Sequence, residues 1–398
     1  MPSEWQIKPL GELATISSGG TPRRDRAEYW DGSVPWVTTT EIDFGQITKA
    51  SQFISQEGLA NSAAKLLPVG TLLLALYGQG KTRGKVGVLG MPAATNQACA
   101  SITVGDGVDA GYLLHFLASR YEAIRALSNG GSQDNLNGSI VKGILVPCPT
   151  LGEQLTIAAA LSDVDALLAK LDQLIAKKRD FKRAAMQQLL TGQTRLPGFS
   201  GEWMVRRLGD LGEFLKGRGV TRDQSQGGPL PCLRYGEIYT THQDVIRAFT
   251  SWISAQVAAT ATKLKRGDIL FAGSGETKEE IGKCVAFIDD IEAFAGGDIV
   301  ILRPRQASSL FLGYALNAPA VNRQKASRGQ GDAVVHVSAA ALAHVVVAIP
   351  EVAEQTAIAT LLSDIDAELT ALTARRDKTR ALKQGMAQAL LTGRIRLV

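Results

Sequence analysis

The stretch "QQLLTGQTRL", residues 187–196, returns near the other end of the chain as "AQALLTGRIRL", residues 387–397. Gly192 and Gly393 are 201 positions apart (393 less 192), and the same offset aligns what precedes them without a gap. Glu153-Gln154 meets Glu354-Gln355, Ile157-Ala158 meets Ile358-Ala359, Ser162-Asp163 meets Ser363-Asp364, and Asp165 meets Asp366. A long internal period has to be recognised before any element is assigned, because it dictates the architecture. Earlier segments repeat more loosely. "EWQIKPLGEL" from Glu4 parallels "EWMVRRLGDL" from Glu202, and "VPWVTTTEI" from Val34 parallels "LPCLRYGEI" from Leu230. "VGTLLLALYGQG" from Val69 parallels "RGDILFAGSGE" from Arg266. The chain reads as variable block, constant block, variable block, constant block.

The constant blocks carry helical periodicity. Ile157, Leu161, Val164, Leu168, Leu171 and Ile175 alternate steps of four and three, as do Ile358, Leu362, Ile365, Leu369 and Leu372. That is a heptad seam. No proline interrupts either block, while Gly192 and Gly393 suit helix ends. Each helix could pack on its own globular region or against the other helix. The short connection over 191–201 favours an antiparallel pair. The variable blocks mix short β-like runs ("TLLLALY", "ILFAG", "DIVILRP") with one expected helix each, within 109–127 and 308–325. The fold class is α+β: two pseudo-symmetric α/β domains separated by two long antiparallel coiled-coil helices. The expected boundaries are 1–149 and 199–350 for the domains, and 150–198 and 351–398 for the helical spacers.

Composition excludes several classes. A chain of 398 residues, 45% apolar, exceeds one ordinary core. It has no run of eighteen apolar residues, and its start lacks a basic-then-apolar leader, so no membrane partner is expected. Cys99, Cys148, Cys232 and Cys284 form no CxxC, which points to a reducing cytoplasm and no zinc cluster. A net charge of +5 and a pI ≈ 9.0 lean mildly toward polyanions. "GQGKT", residues 78–82, misses the P-loop pattern: Ala75 stands where its first glycine belongs, and the second copy, "GSGET", puts Glu276 in the lysine's place. His115, His242, His336 and His344 lack metal spacing, with His344 read as a core or edge residue. No dinucleotide fingerprint, methyltransferase signature or nucleophile elbow occurs. No catalytic, cofactor-binding or metal-binding residue is assigned.

Basic, amide and aromatic side chains on loops remain. Arg and Lys suit phosphates and guanine edges, and Asn and Gln suit adenine edges. In the first half the DNA-contact candidates are Arg23, Arg24, Trp36, Thr38, Lys81, Arg83, Lys85, Gln133 and Asn135. In the second half they are Arg218, Arg222, Arg234, Tyr235, Ser274, Thr277, Lys278, Arg328 and Gln330. Two readers with one frame and unlike side chains would read unlike sequences.

With the paired "EQ..IA..LSD.D" and "LLTG..RL" blocks, the early "G.TP" and "GGSQDNLN", the chain resembles, over essentially its whole length, the specificity subunits of type I restriction-modification systems. The resemblance implies two target recognition domains, each reading one part of a gapped site in double-stranded DNA. It implies helices that set the spacing and dock two methyltransferase subunits, joined by translocase-nuclease restriction subunits. Chemistry would then lie in those partners, with S-adenosylmethionine, ATP and Mg on them and none on this chain. "RGQGDAVV", residues 328–335, is taken as the weaker second copy of "GGSQDNLN" and lacks its asparagine. The alternative from another class is a stand-alone architectural DNA-binding protein or adaptor whose rod is structural.

Overall fold

The computed structural model describes residues 2, 4–78, 80–127, 135–331 and 334–397. The chain forms two compact units, one from residues 1–173 with 374–398 and one from residues 174–373. Each unit therefore holds one globular region and a part of each long helix.

The two globular regions repeat the strand order of their larger sheet. The first has a five-stranded sheet in the order Ala14–Ser18, Cys99–Val104, Leu72–Ala75, Val86–Leu89, Gln46–Ile47. The second has Gly212–Lys216, Ile299–Pro304, Ile269–Ala272, Cys284–Ala286, Asp244–Val245 in the same order. In both, the last strand pairs parallel and the others antiparallel. The central strands Leu72–Ala75 and Ile269–Ala272 are buried throughout. They read as continuous apolar runs rather than alternating ones because both faces are covered. A smaller mixed sheet accompanies each: Gln52–Ile54, Trp30–Val37, Ala94–Thr95 in the first, and Ser251–Ile253, Leu230–Leu233, Phe294–Ala295, Thr262–Lys263 in the second. Where one helix is expected per domain, two form. In the first, Ala110–Ser119 stops at Arg120 and Tyr121–Ala126 follows. The Ser119 hydroxyl donates back to the Phe116 carbonyl at 2.7 Å, a local bond that competes with helix continuation. In the second, Pro319 opens a new helix, Pro319–Ala326, after Ser309–Ala315, because proline suits a first turn and not an interior.

The long helices are Leu151–Leu189 and Val352–Leu390, 39 residues each. They lie antiparallel within each unit. In the first unit Asp165 meets Lys383 at 2.5 Å and Asp172 meets Arg376 at 3.5 Å. In the second Lys178 meets Glu368 at 2.6 Å and Lys182 meets Asp366 at 2.7 Å. Numbers rise along one helix as they fall along the other. The seam serves both arrangements considered from sequence. Ile157 and Leu161 lie in the first globular core with Leu113, Phe116 and Leu117. Ile358, Leu362 and Ile365 lie in the second with Phe311, Leu312 and Ala315. Farther along, Leu171 and Ile175 are buried, while Val164, Leu168, Leu369 and Leu372 are half-buried.

The opening block is a helix-terminating clasp. Leu189-Leu190 and Leu390-Leu391 are buried in the two cores. Thr191 and Thr392 donate their hydroxyls to the carbonyls of Gln187 and Gln388, at 2.7 and 2.6 Å. Gly192 and Gly393 turn the chain at φ 71° and 67°, the left-handed conformation glycine adopts without steric cost. A Cβ on Gly393 would meet the Pro2 ring at 2.4 Å and Trp5 at 3.3 Å. Arginine then closes the loop. Arg195 donates to both oxygens of buried Glu354 at 2.6 and 2.5 Å and lies over Trp203 at 5.9 Å. Arg396 holds buried Glu153 in the same way and lies over Trp5 at 5.7 Å.

The frame also carries a difference between the units. His115 Nε2 bonds Ser162 Oγ at 3.0 Å, with Nδ1 3.9 Å from Asp165. In the second unit Tyr314 donates to Asp366 at 2.8 Å. Burial, and then Lys383, hold the His115 pKa below 6.5, with Asp165 and Asp109 opposing. A histidine depressed in the folded state takes up its proton later than in the unfolded chain, so stability falls as pH drops below 6.5 toward the folded value. His115→Tyr, copying the other unit, should remove that part of the acid sensitivity in thermal melts from pH 7.5 to 5. An unchanged pH profile would refute the assignment.

Candidate nucleic-acid interface

Five segments of the first unit converge at one end of its large sheet: 19–24, 38–45, the described residues of 76–85, 96–98 and 135–137. Backbone bonds lace them together. Gly19 N–H donates to Cys99 O at 3.4 Å, Leu76 N–H to Ala98 O at 2.8 Å, and Leu136 N–H to Leu76 O at 3.0 Å. The second unit repeats the lacing: Gly217 to Ile299 at 2.8 Å, Gly273 to Asp298 at 2.8 Å, and Val337 to Gly273 at 2.9 Å. Loops differ in sequence while their roots stay fixed, which suits a rigid scaffold presenting variable side chains. Val220 belongs to this rim in the second unit and holds φ 57° although β-branched, a strained conformation.

The sequence candidates divide here. Lys81, Arg218, Arg222, Thr277, Lys278 and Gln330 are exposed on rim loops or beside them, and Tyr235 is 39% exposed. Arg23 is exposed and paired with Asp25 at 2.6 Å. Arg24 is prearranged. Its guanidinium stacks 3.7 Å from the Trp30 ring centroid, lies 5.2 Å from that of Trp36, and donates to Gln52 at 3.0 Å. A planar cation held over an aromatic face loses little freedom on binding. Arg83 is half-buried, and its Nε meets no acceptor among the described residues. Arg234 caps the helix Tyr235–Thr240 through its N–H to Glu237 at 2.8 Å and is half-buried. Asn135 is half-buried on its segment. Gln133 lies outside the described residues, as does most of the "GGSQDNLN" stretch.

Several candidates are engaged within the chain, and burial corrects two of them, Trp36 and Ser274. Trp36 is only 2% exposed, and its indole N–H is spent on the Gly20 carbonyl at 3.0 Å, so it supports Arg24 and does not reach a ligand. Ser274 is buried and bonded to His336 Nδ1 at 2.9 Å. Thr38 is tied into a capping box with Glu41. Lys85 pairs with Asp43 at 2.7 Å. Arg328 donates to the Gln324 and His344 carbonyls at 2.8 and 3.3 Å, capping helix ends. His344 itself is exposed at the end of the helix Ala339–Ala343 rather than in a core. The register of the second motif also shifts. Leu136 and Val337 make the same bond to their sheets, and Asn137 and Ser338 each cap the next short helix. The counterpart of residues 135–137 is therefore 336–338, which lies beyond the 328–335 stretch expected from sequence, and His336 stands at the place of Asn135. Sequence reading missed His336 and Gln52; the 201-residue offset would have found the former.

No group of three or more His, Cys, Asp or Glu able to hold a metal occurs among the described residues. Burial raises the thiol of Cys99 to about 12 and those of Cys232 and Cys284 to about 11, far from nucleophilic thiolates. No described helix is long and apolar enough to cross a membrane.

Comparison with known proteins agrees with this duplicated frame. The chain is 26% identical over 231 residues to the MjaIX type I restriction enzyme specificity subunit of Methanocaldococcus jannaschii, covering 53% of this chain and 52% of that one. It is thus matched over about half the length of that relative. The MjaVIII specificity subunit of the same organism is 20% identical over 100% of this chain and 94% of its own. The crystal structure of a type I restriction-modification system S subunit from M. genitalium superposes with a TM-score of 0.64 at 16% identity, covering 98% of this chain and 97% of that one, which establishes likeness of fold. The family described as type I restriction modification DNA specificity domain matches twice, over residues 2–177 and 200–380, and it is to this family that the chain belongs.

Proposed function

We propose that the chain is the DNA sequence-recognition subunit of a type I restriction-modification complex. Each globular region reads one half of a bipartite, gapped site in double-stranded DNA. The paired helices fix the gap and dock two methyltransferase subunits, to which restriction subunits are added. The chain contributes no catalytic group; S-adenosylmethionine, ATP and Mg belong to the partner subunits. The observation that carries this reading is the rim built twice on one frame with different side chains. Duplication of the roots argues for one kind of ligand engaged twice. Divergence at matching places, such as Asn135 before Leu136 and His336 before Val337, argues for two different sequences read.

The expected result of Lys81→Ala or Arg83→Ala is weaker binding or a relaxed preference confined to one half-site, by about 1–3 kcal/mol per lost base contact. Lys278→Ala should affect only the other half. Duplexes with each half-site scrambled in turn, bound to the chain assembled with its methyltransferase, provide the measurement. Equal loss on both half-sites from any one of these variants would overturn the division of labour. Failure of the chain to co-purify with a co-expressed methyltransferase would favour the stand-alone architectural reading.

A further inference from the structure

The rim of the second unit contains a histidine that is exposed yet fixed. The His336 N–H donates to the Gln330 carbonyl at 2.8 Å, and the Gln330 N–H returns a bond at 2.9 Å. On its other side the strand Val335–His336 pairs with Ser274–Gly275. The ring is held as well, with Nδ1 2.9 Å from the hydroxyl of Ser274, which is itself buried. Backbone and ring are thus both anchored on a residue that packing does not require to be ordered. Nδ1 is occupied, so Nε2 is the polar atom the ring has left to offer. No described residue is hydrogen-bonded to it. The bond register gives His336 the position of Asn135 in the first unit, one residue before the lacing bond of Val337.

Resting on the function proposed above, we propose that His336 reads a base of the second half-site through Nε2, and that Ser274 positions it. A ring fixed in advance presents a single hydrogen-bonding atom at a defined place, and less side-chain freedom is lost on binding. The chemistry on the DNA side follows from the tautomer. When Ser274 donates to Nδ1, Nε2 carries the proton and matches a purine N7, a guanine O6 or a thymine O4. When Nδ1 donates to Ser274, Nε2 accepts from the amino group of adenine or cytosine.

The test compares His336→Ala, His336→Asn and His336→Gln in the full chain assembled with its methyltransferase. The readouts are the methylated motif by genome sequencing and binding to duplexes carrying single-base changes in that motif. Asparagine places a polar atom near Nδ1 and can keep the bond to Ser274. Glutamine places one near Nε2 and can keep the contact to the base. The expected result is relaxed preference at one position of the second half-site for the alanine and asparagine variants, with binding to the intact motif weakened by about 5- to 150-fold. Glutamine should retain most of the preference, and Ser274→Ala should weaken it at the same position. An unaltered motif in His336→Ala overturns the inference. So does rescue by asparagine but not glutamine, which would mark a purely structural bond to Ser274. If the wild-type complex methylates no bipartite motif, the proposed function itself falls, and that outcome is visible before any variant is made.

Discussion

Arg195→Ala should be among the most destabilising single substitutions in the chain, because it breaks an ion pair to a buried carboxylate from one side only. Glu354 has a side chain with 0% exposure, and Arg195 neutralises it through two parallel bonds while donating a third to the Gly201 carbonyl at 2.7 Å. Removing the arginine leaves a buried carboxylate without its counter-charge, a far larger penalty than the pair's net worth. The expected signature is a fall of the second unit's melting transition by about 10 °C. Arg396→Ala is the matched experiment and should cost less, because Glu153 keeps a bond from the Trp5 indole N–H at 3.2 Å. Replacing both partners, Arg195→Leu with Glu354→Leu, should recover much of the loss. Calorimetry on the full chain provides the check. A shift of under two degrees for Arg195→Ala would show that the pair is not what closes the clasp.

Inserting one heptad into both long helices at matching levels should lengthen the gap in the methylated motif by up to about three base pairs. Seven residues are two turns, so the seam and the antiparallel ion pairs stay in register. The added length is about 10 Å at a rise of about 1.5 Å per residue, against about 3.4 Å per base pair along DNA. The half-site sequences should not change, since no rim residue is touched. Inserting two residues instead rotates every later seam position off its face and should abolish methylation. Genome methylation in cells carrying each insertion and the partner methyltransferase gives the answer. An active complex with the seven-residue insertion and an unaltered gap would exclude the helices as the ruler.

The fold was far more legible in the sequence than the interface. The 201-residue offset fixed the plan because helix ends and core positions tolerate little change. Gly192 and Gly393 must accept positive φ, Arg195 and Arg396 must reach buried carboxylates, and Ile157 and Ile358 must fill cores. The break between Ala110–Ser119 and Tyr121–Ala126 was hidden, because composition there favours helix on both sides of Arg120. Residue type alone could not separate Trp36 from Trp30. Both lie in one strand and near Arg24, but Trp36 is buried while Trp30 stays half-buried with the guanidinium stacked on its ring. Likewise Ser274 and His336 are 62 residues apart, and only the strand pairing brings them together. Loop side chains are chosen for what they meet outside the protein, so local pattern carries little information about them.

The division of the chain also sets a timetable for synthesis. The second unit is one uninterrupted stretch, 174–373, whereas the first is completed only by residues 374–398. Leu390 and Leu391 belong to the first core, and Arg396 is the counter-charge of Glu153. On the ribosome the first globular region emerges early but waits for its last pieces while about 200 further residues are made, roughly 10–40 s at about 5–20 residues per second. During that interval Glu153 lacks its arginine, and the apolar seat for Leu390 and Leu391 stands open. The later-made unit is therefore the first to have all of its residues synthesised.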